Sequence, residues 1–146
     1  LDSKVAGAVT VGDVDGNGLS DIVVAGTRVE VLLGQGSGKF SPGIVSGQSG
    51  APPHLGFASP SEYPSWLSLG QLDSSDGMDL FQADPYSNSL VYAMNLGGGL
   101  FGDIQVLGSI HGRIAAAAGD IDRDGSADLV ILGNGGLEIY YGRCHN

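Results

Sequence analysis

Apolar residues in this chain fall in short runs, broken at close intervals by clusters of Gly, Ser, Asn and Asp. That punctuation favours many short strands over long helices and makes an all-β fold the expectation. Three runs, at residues 22–25, 80–83 and 129–132, share one setting. Each is preceded by a short apolar segment (8–11, 66–69, 114–118) and followed after a turn by an alternating one (29–33, 89–94, 137–141). A fourth strand is expected near residues 43–46 in the first copy and 103–107 in the second. Four short antiparallel strands per ~50 residues describe a propeller blade.

Between the first two strands of each copy lies a polar segment of one design. It reads Gly-Asp-Val-Asp-Gly-Asn-Gly-Leu-Ser-Asp at 12–21, recurs in degraded form at 70–79, and returns as Gly-Asp-Ile-Asp-Arg-Asp-Gly-Ser-Ala-Asp at 119–128. Counted from the first oxygen-bearing residue, the loops begin at Asp13, Gln71 and Asp120, separated by 58 and 49 residues. Such a period marks a repeated unit that cannot bury its own face alone. The chain therefore reads as one repeat domain over 1–146, with blade 1 at about 5–48, blade 2 at about 64–108 and a partial blade 3 at about 112–146. The third copy lacks a fourth strand. An incomplete propeller of this kind is expected to leave a sheet edge and an apolar blade face uncovered.

Oxygen donors at every second residue are how a short loop wraps a hard cation that takes roughly 6–8 oxygens. In the first loop, positions 1, 3, 5 and 9 are Asp13, Asp15, Asn17 and Asp21, with the carbonyl of Leu19 at position 7. In the third they are Asp120, Asp122, Asp124 and Asp128, with the carbonyl of Ser126. Gly18 and Gly125 take position 6, where a sharp turn favours a residue free to adopt positive φ. These two loops are the expected calcium sites. A helical calcium hand closes on a Glu at position 12 and runs into a helix. Here position 12 is Val24 or Ile131, each inside a β-branched run that prefers a strand.

The middle loop offers Gln71, Asp73, Ser75, the carbonyl of Gly77, and Asp79. Its ligand charge is −2, against −3 in the first loop and −4 in the third, so calcium affinity is expected to fall in the order third, first, second. Asp76 stands at its turn position, and a metal-free middle turn is expected.

Composition sharpens this picture mainly by exclusion. Ten of the sixteen acidic residues lie inside the three loops, and two Ca²⁺ ions would bring the net charge from −10 to −6. The acidity therefore speaks of metal before partners. Six scattered Lys and Arg residues form no basic patch for nucleic acid. No apolar run approaches the ~20 residues of a membrane span. A charged-then-apolar leader and an initiator Met are both absent, so the chain reads as a processed protein or an excised piece. Cys144 can form no intrachain disulfide and reads as a solvated thiol, or as a bond to a partner. His54, His111 and His145 are isolated, and no nucleophile and base stand in a recognisable arrangement. No enzyme activity is expected.

The run from Val11 through Gly-Asp-Val-Asp-Gly-Asn-Gly-Leu-Ser-Asp-Ile-Val-Val, continuing to Val31-Leu-Leu-Gly-Gln-Gly-Ser-Gly-Lys-Phe-Ser-Pro, resembles one repeat of the FG-GAP/VCBS family, whose blades build the integrin α-subunit head. The turn Leu96-Gly-Gly-Gly-Leu-Phe-Gly repeats the Gly-rich element, so the resemblance covers nearly the whole chain. It implies a closed ring of about seven blades, calcium between the first and second strands of a blade, and an extracellular or secreted setting. Other blades, from the same or another chain, are the implied partners.

The expected function is that of a non-catalytic, calcium-stabilised extracellular module for adhesion or for glycan or protein binding. Its candidate contacts are Tyr63, Trp66, Tyr86 and Tyr92, with the Pro-rich stretch 47–65 as a candidate binding loop. The aromatics read as blade core before contacts. Two alternatives stay open: a structural protein closing a ring or filament by strand exchange between copies, and a fragment of a larger secreted enzyme's propeller.

Overall fold

The computed structural model describes residues 6–26, 29–46, 66–73, 75, 77–84, 89–109 and 115–142. The stretch 47–65, Tyr63, Tyr86, Asp76, the three histidines and Cys144 lie outside the described residues. Strands β1 (Ala6–Gly12), β2 (Asp21–Gly26), β3 (Val29–Leu32) and β4 (Ile44–Ser46) form one antiparallel sheet in chain order. A second sheet has β5 (Trp66–Gly70), β6 (Asp79–Asp84), β7 (Ser89–Ala93) and β10 (Gln105–Ser109) in the same meander order. Between its third and fourth strands the hairpin β8 (Asn95–Gly97) and β9 (Leu100–Phe101) projects. The third sheet has β11 (Ala115–Gly119), β12 (Asp128–Gly133) and β13 (Gly136–Tyr140). Among the described residues no helix is long and apolar enough to cross a membrane.

The expected strands are present, with ends displaced by a residue or so, while the fourth strand of the second sheet starts at Gln105 rather than Asp103. The Gly-rich turn also contributes more than a turn. Gly97, Gly98 and Gly99 all adopt positive φ, which lets the chain reverse tightly enough to pair Asn95 with Phe101. The first sheet has a reduced version, a single bridge between Gly34 and Phe40.

Side chains alternate across each strand, so every sheet has two faces to cover. Val23, Ala25, Val29 and Val31 of the first sheet meet Leu67, Leu69, Leu80 and Ala93 of the second in one buried cluster. On the opposite face of the second sheet, Phe81, Ala83 and Leu90 meet Leu129 and Ile131 of the third. The core is thus two apolar layers between three stacked sheets, and the inner strand β5 packs between β1 and β11.

The backbones approach closely at both junctions. Gly12 lies so near the second sheet that a Cβ there would stand 2.9 Å from Leu69 and Met78, and a Cβ on Gly70 would stand 2.7 Å from Ala127. Beside these glycines the Met78 N–H donates to the Asp13 carbonyl (3.2 Å), and the Ala127 N–H donates to the Gln71 carbonyl (2.5 Å). The neighbours of Gly12 are the ends of flexible side chains, but those of Gly70 are the Cβ atoms of Ala127 and Ala118, so glycine at residue 70 is a requirement of stacking. Gly70→Ala is expected to cost about 1–3 kcal/mol through overpacking. Gly119→Ala, where a Cβ meets nothing within 4 Å, is expected to stay within about 0.5 kcal/mol in the monomeric chain at high dilution. Urea unfolding of the two variants checks the difference, and equal losses would contradict it.

Candidate functional site

Each of the three loops is closed by the aspartate at position 9, and all three of these aspartates are completely buried. Asp21 Oδ2 accepts from the Val14 N–H and Oδ1 from the Gly34 N–H, both at 2.7 Å. Asp79 repeats this with the N–H groups of Leu72 and Asn95, again at 2.7 Å. Asp128 does so with Ile121 (2.7 Å) and Gly142 (3.0 Å), while Asp122 adds a longer bond at 3.3 Å. One carboxylate thus ties the start of the loop to the backbone just beyond the third strand. Burial pushes the Asp79 carboxyl above its usual range, against the opposing pull of the Asn95 and Leu72 N–H groups.

The first carboxylate organises the loop from within. Asp13 accepts from the N–H groups of Gly16 (2.8 Å), Asn17 (3.1 Å) and Gly18 (2.7 Å), and Asp120 accepts from those of Asp124 and Gly125 at 3.1 Å each. At position 5, Asn17 and Asp124 each accept from the N–H two residues on, Leu19 (2.7 Å) and Ser126 (2.8 Å). The turns require positive φ at position 6, in Gly18 and Gly125, and also at position 4, in Gly16 and Arg123. Position 4 escaped the sequence reading because the third loop fills it with Arg123, a residue that adopts this conformation at a cost.

Carboxylate oxygens of Asp13, Asp15 and Asp21 lie within 4.8 Å of one another, as do those of Asp120, Asp122 and Asp124. This all-oxygen donor set suits a hard cation such as Ca²⁺. Asn17, with the carbonyl of Leu19, stands in the first loop where Asp124 and the carbonyl of Ser126 stand in the third.

The middle loop is held differently. Gln71 turns its amide nitrogen inward, where it donates to the carbonyls of Asp73 (2.8 Å) and Ser75. The Ser75 hydroxyl in turn donates to the Gly77 carbonyl at 3.3 Å. A side-chain N–H₂ thus gathers the inward carbonyls. Asp73 accepts from the Ser75 N–H (2.7 Å), and no cluster of three acidic groups forms here among the described residues.

Where the first loop meets the second sheet, a cavity of about 360 Å³ is lined by Val14, Asp15, Ser75, Gly77, Asn95, Leu96 and Gly97. Asn95 anchors its wall, with Nδ2 donating to the carbonyls of Val14 (2.7 Å) and Met78 (2.9 Å) and Oδ1 accepting from the Gly97 N–H (2.6 Å). Sequence reasoning missed Asn95. The signal was its place after β7, where its N–H meets Asp79 as the N–H of Gly34 meets Asp21. Of the aromatic candidates, Trp66 and Tyr92 pack against the second core, and the Tyr92 O–H donates to Gln105 at 3.0 Å.

The fold is all-β, built of antiparallel meander sheets of the propeller-blade kind stacked face to face. It is similar to the solved structure of an Agrocybe aegerita lectin described for specific recognition of non-reducing terminal N-acetylglucosamine, with a TM-score of 0.65 and 21% sequence identity. The likeness covers 91% of this chain and 34% of the lectin, so the chain spans about a third of that protein's length, and at this identity it establishes the fold alone. No protein family and no curated protein matches the chain in sequence.

Truncating a closing aspartate strands two buried N–H groups at once. Asp21→Ala is expected to cost roughly 2–5 kcal/mol, whereas exposed Asp122→Ala should change metal-free stability by no more than about 0.5 kcal/mol. Denaturation in the presence of chelator tests this contrast, which is lost if the two variants unfold alike.

Proposed function

We propose that this chain is a non-catalytic glycan-binding module whose loops are stabilised by calcium, working in an extracellular setting. The observation that carries the glycan reading is the cavity between the first loop and the second sheet. Its lining combines the acceptor oxygens of Asp15, Ser75 and Asn95, the last two fixed by their own donated hydrogen bonds, with the exposed apolar side chain of Leu96. A sugar presents the matching surface, hydroxyls and amides on its edges and C–H groups on its face. Small-ligand sites of this kind pair apolar contact with a few fixed polar groups. The lectin of similar fold supports the same class of ligand, and N-acetylglucosamine-terminated glycans are the first candidates.

Calcium is proposed for the first loop through Asp13, Asp15, Asn17, Asp21 and the carbonyl of Leu19. For the third loop the ligands are Asp120, Asp122, Asp124, Asp128 and the carbonyl of Ser126. A cation would offset the charge that these carboxylates bring together. The middle loop is proposed to work without metal, because Gln71 puts an N–H₂ where the other loops put a carboxylate and the Gly77 carbonyl that a cation would use already accepts from the Ser75 hydroxyl. Extracellular modules bind calcium at about 10⁻⁴–10⁻³ M, the range in which an exposed loop of this kind suffices.

Calorimetric titration is expected to find two calcium sites, with Asp122→Ala removing one and Asp15→Ala the other. Gln71→Asp is expected to add a third. A flat isotherm, together with a melting temperature indifferent to chelator, would overturn the calcium assignment. For the glycan, titration with an N-acetylglucosamine-terminated oligosaccharide should show saturable binding that Leu96→Asp weakens about tenfold or more, a loss of about 1.4 kcal/mol. Absence of binding by the unaltered chain, or an unaffected variant, would sink this reading.

A further inference from the structure

The two junctions inside the chain are built alike, and the third sheet carries the same half-junction facing outward. At the first junction Gly12 lies against Leu69 and Met78 of the next sheet, and at the second Gly70 lies against Ala118 and Ala127. The matching glycine of the third sheet is Gly119, beside which a Cβ would meet nothing within 4 Å. Position 2 of the loops follows the same series. Val14 is fully buried and Leu72 packs against the second core, but Ile121 is 50% exposed.

The sheet faces agree with the glycines. Strand pairing makes Val130, Leu132, Leu137 and Ile139 the equivalents of Val23, Ala25, Val29 and Val31, which the second sheet covers completely. In the third sheet Leu132 is 53% and Leu137 64% exposed. The complementary half stands at the other end of the chain. Val9 and Val11 occupy the places of Leu67 and Leu69, whose side chains fill the first junction, yet they are 63% and 61% exposed. Beside them Ile22 and Leu32 are half-buried, while Val24 and Glu30 are buried.

We propose that this chain associates head to tail, the open face of its third sheet covered by the first sheet of a second copy. The occupant is argued from continuity. Both halves of a junction already formed twice within the chain lie at its opposite ends, and β1, β5 and β11 form a row that the partner's β1 extends. The repeat seats the partner's Val11 over Gly119, as Leu69 sits over Gly12 and Ala118 near Gly70. It also brings the partner's Ser20 N–H to the Asp120 carbonyl, as Met78 donates to Asp13 and Ala127 to Gln71. Because the two faces differ, the contact is heterologous and adds copies until the rotation closes. The exposed aliphatic side chains supply the apolar burial that drives it.

Sedimentation velocity of the chain over a wide concentration range tests the proposal, with Leu137→Arg blocking one face and Val9→Arg the other. Both side chains are exposed, so both variants are expected to fold, with circular dichroism as the check. If Leu137→Arg misfolds, Gly119→Leu blocks the same face sterically. The unaltered chain is expected to associate, each variant alone to sediment as a monomer, and a one-to-one mixture of the two variants to form a heterodimer through the intact face that each retains. A chain monomeric at every concentration overturns the proposal, the faces then belonging to other blades or another partner. Self-association of either variant alone overturns it too, because it reveals a different contact, and so does a mixture that stays monomeric while the unaltered chain associates. The mass is read without glycan, so failure of the glycan reading leaves this test unaffected.

Discussion

The structure depends on a buried carboxylate repeated three times. Asp21, Asp79 and Asp128 each accept at least one backbone N–H from their own loop and another from the chain beyond the third strand. A bare carboxylate in an apolar layer would cost far more than a three- or four-stranded sheet can offset. Two charge-assisted bonds make the burial tolerable and turn it into a positional constraint. With the carboxylate fixed, the polar loop cannot drift relative to the strands, and its remaining oxygens point in consistent directions. Asn cannot replace it without presenting an N–H₂ to one of the two donors.

The loops then diverge within one frame. In the first and third, position 1 is an aspartate that gathers backbone N–H groups, and the acidic oxygens collect in one place. In the second, position 1 is Gln71, whose amide reverses the polarity and gathers carbonyls. Reversal at one residue satisfies the loop internally. The same backbone thus carries an acidic cluster or a self-contained turn according to whether position 1 brings acceptors alone or donors as well.

Much of this was legible in the sequence because its causes are local. Period-2 and β-branched runs specify strands, and oxygen at alternate residues of a Gly-containing loop specifies the acidic clusters. What escaped had long-range causes. Gly34, Asn95 and Gly142 meet the closing aspartates at separations of 13, 16 and 14 residues, set by how far each third strand runs. Gln71 read as one more oxygen donor, because the sequence cannot say which end of an amide faces inward. Trp66 and Tyr92 read as core before contacts, and the stacking of the third sheet on the second packs both, half-buried, against the second core. Gly12 and Gly70 before the first two loops were visible, but their reason, a neighbouring sheet within touching distance, belongs to the assembled fold.

The loops and the sheet junctions are one structure rather than two. The carbonyl that receives the neighbouring sheet's N–H belongs to position 1, in Asp13 and Gln71, and the apolar side chain entering the core belongs to position 2, in Val14. The cavity wall is completed by Asp15 at position 3 and by Asn95, which reaches across the junction to the Val14 carbonyl. Consecutive residues of one loop therefore bond the next sheet, fill the core and line the cavity. Any cation that stiffens the loop stiffens all three, and any distortion of the junction reaches the cavity through Val14 and Asp15. Stacking, the acidic cluster and the cavity are coupled through that short segment of backbone, without a moving part.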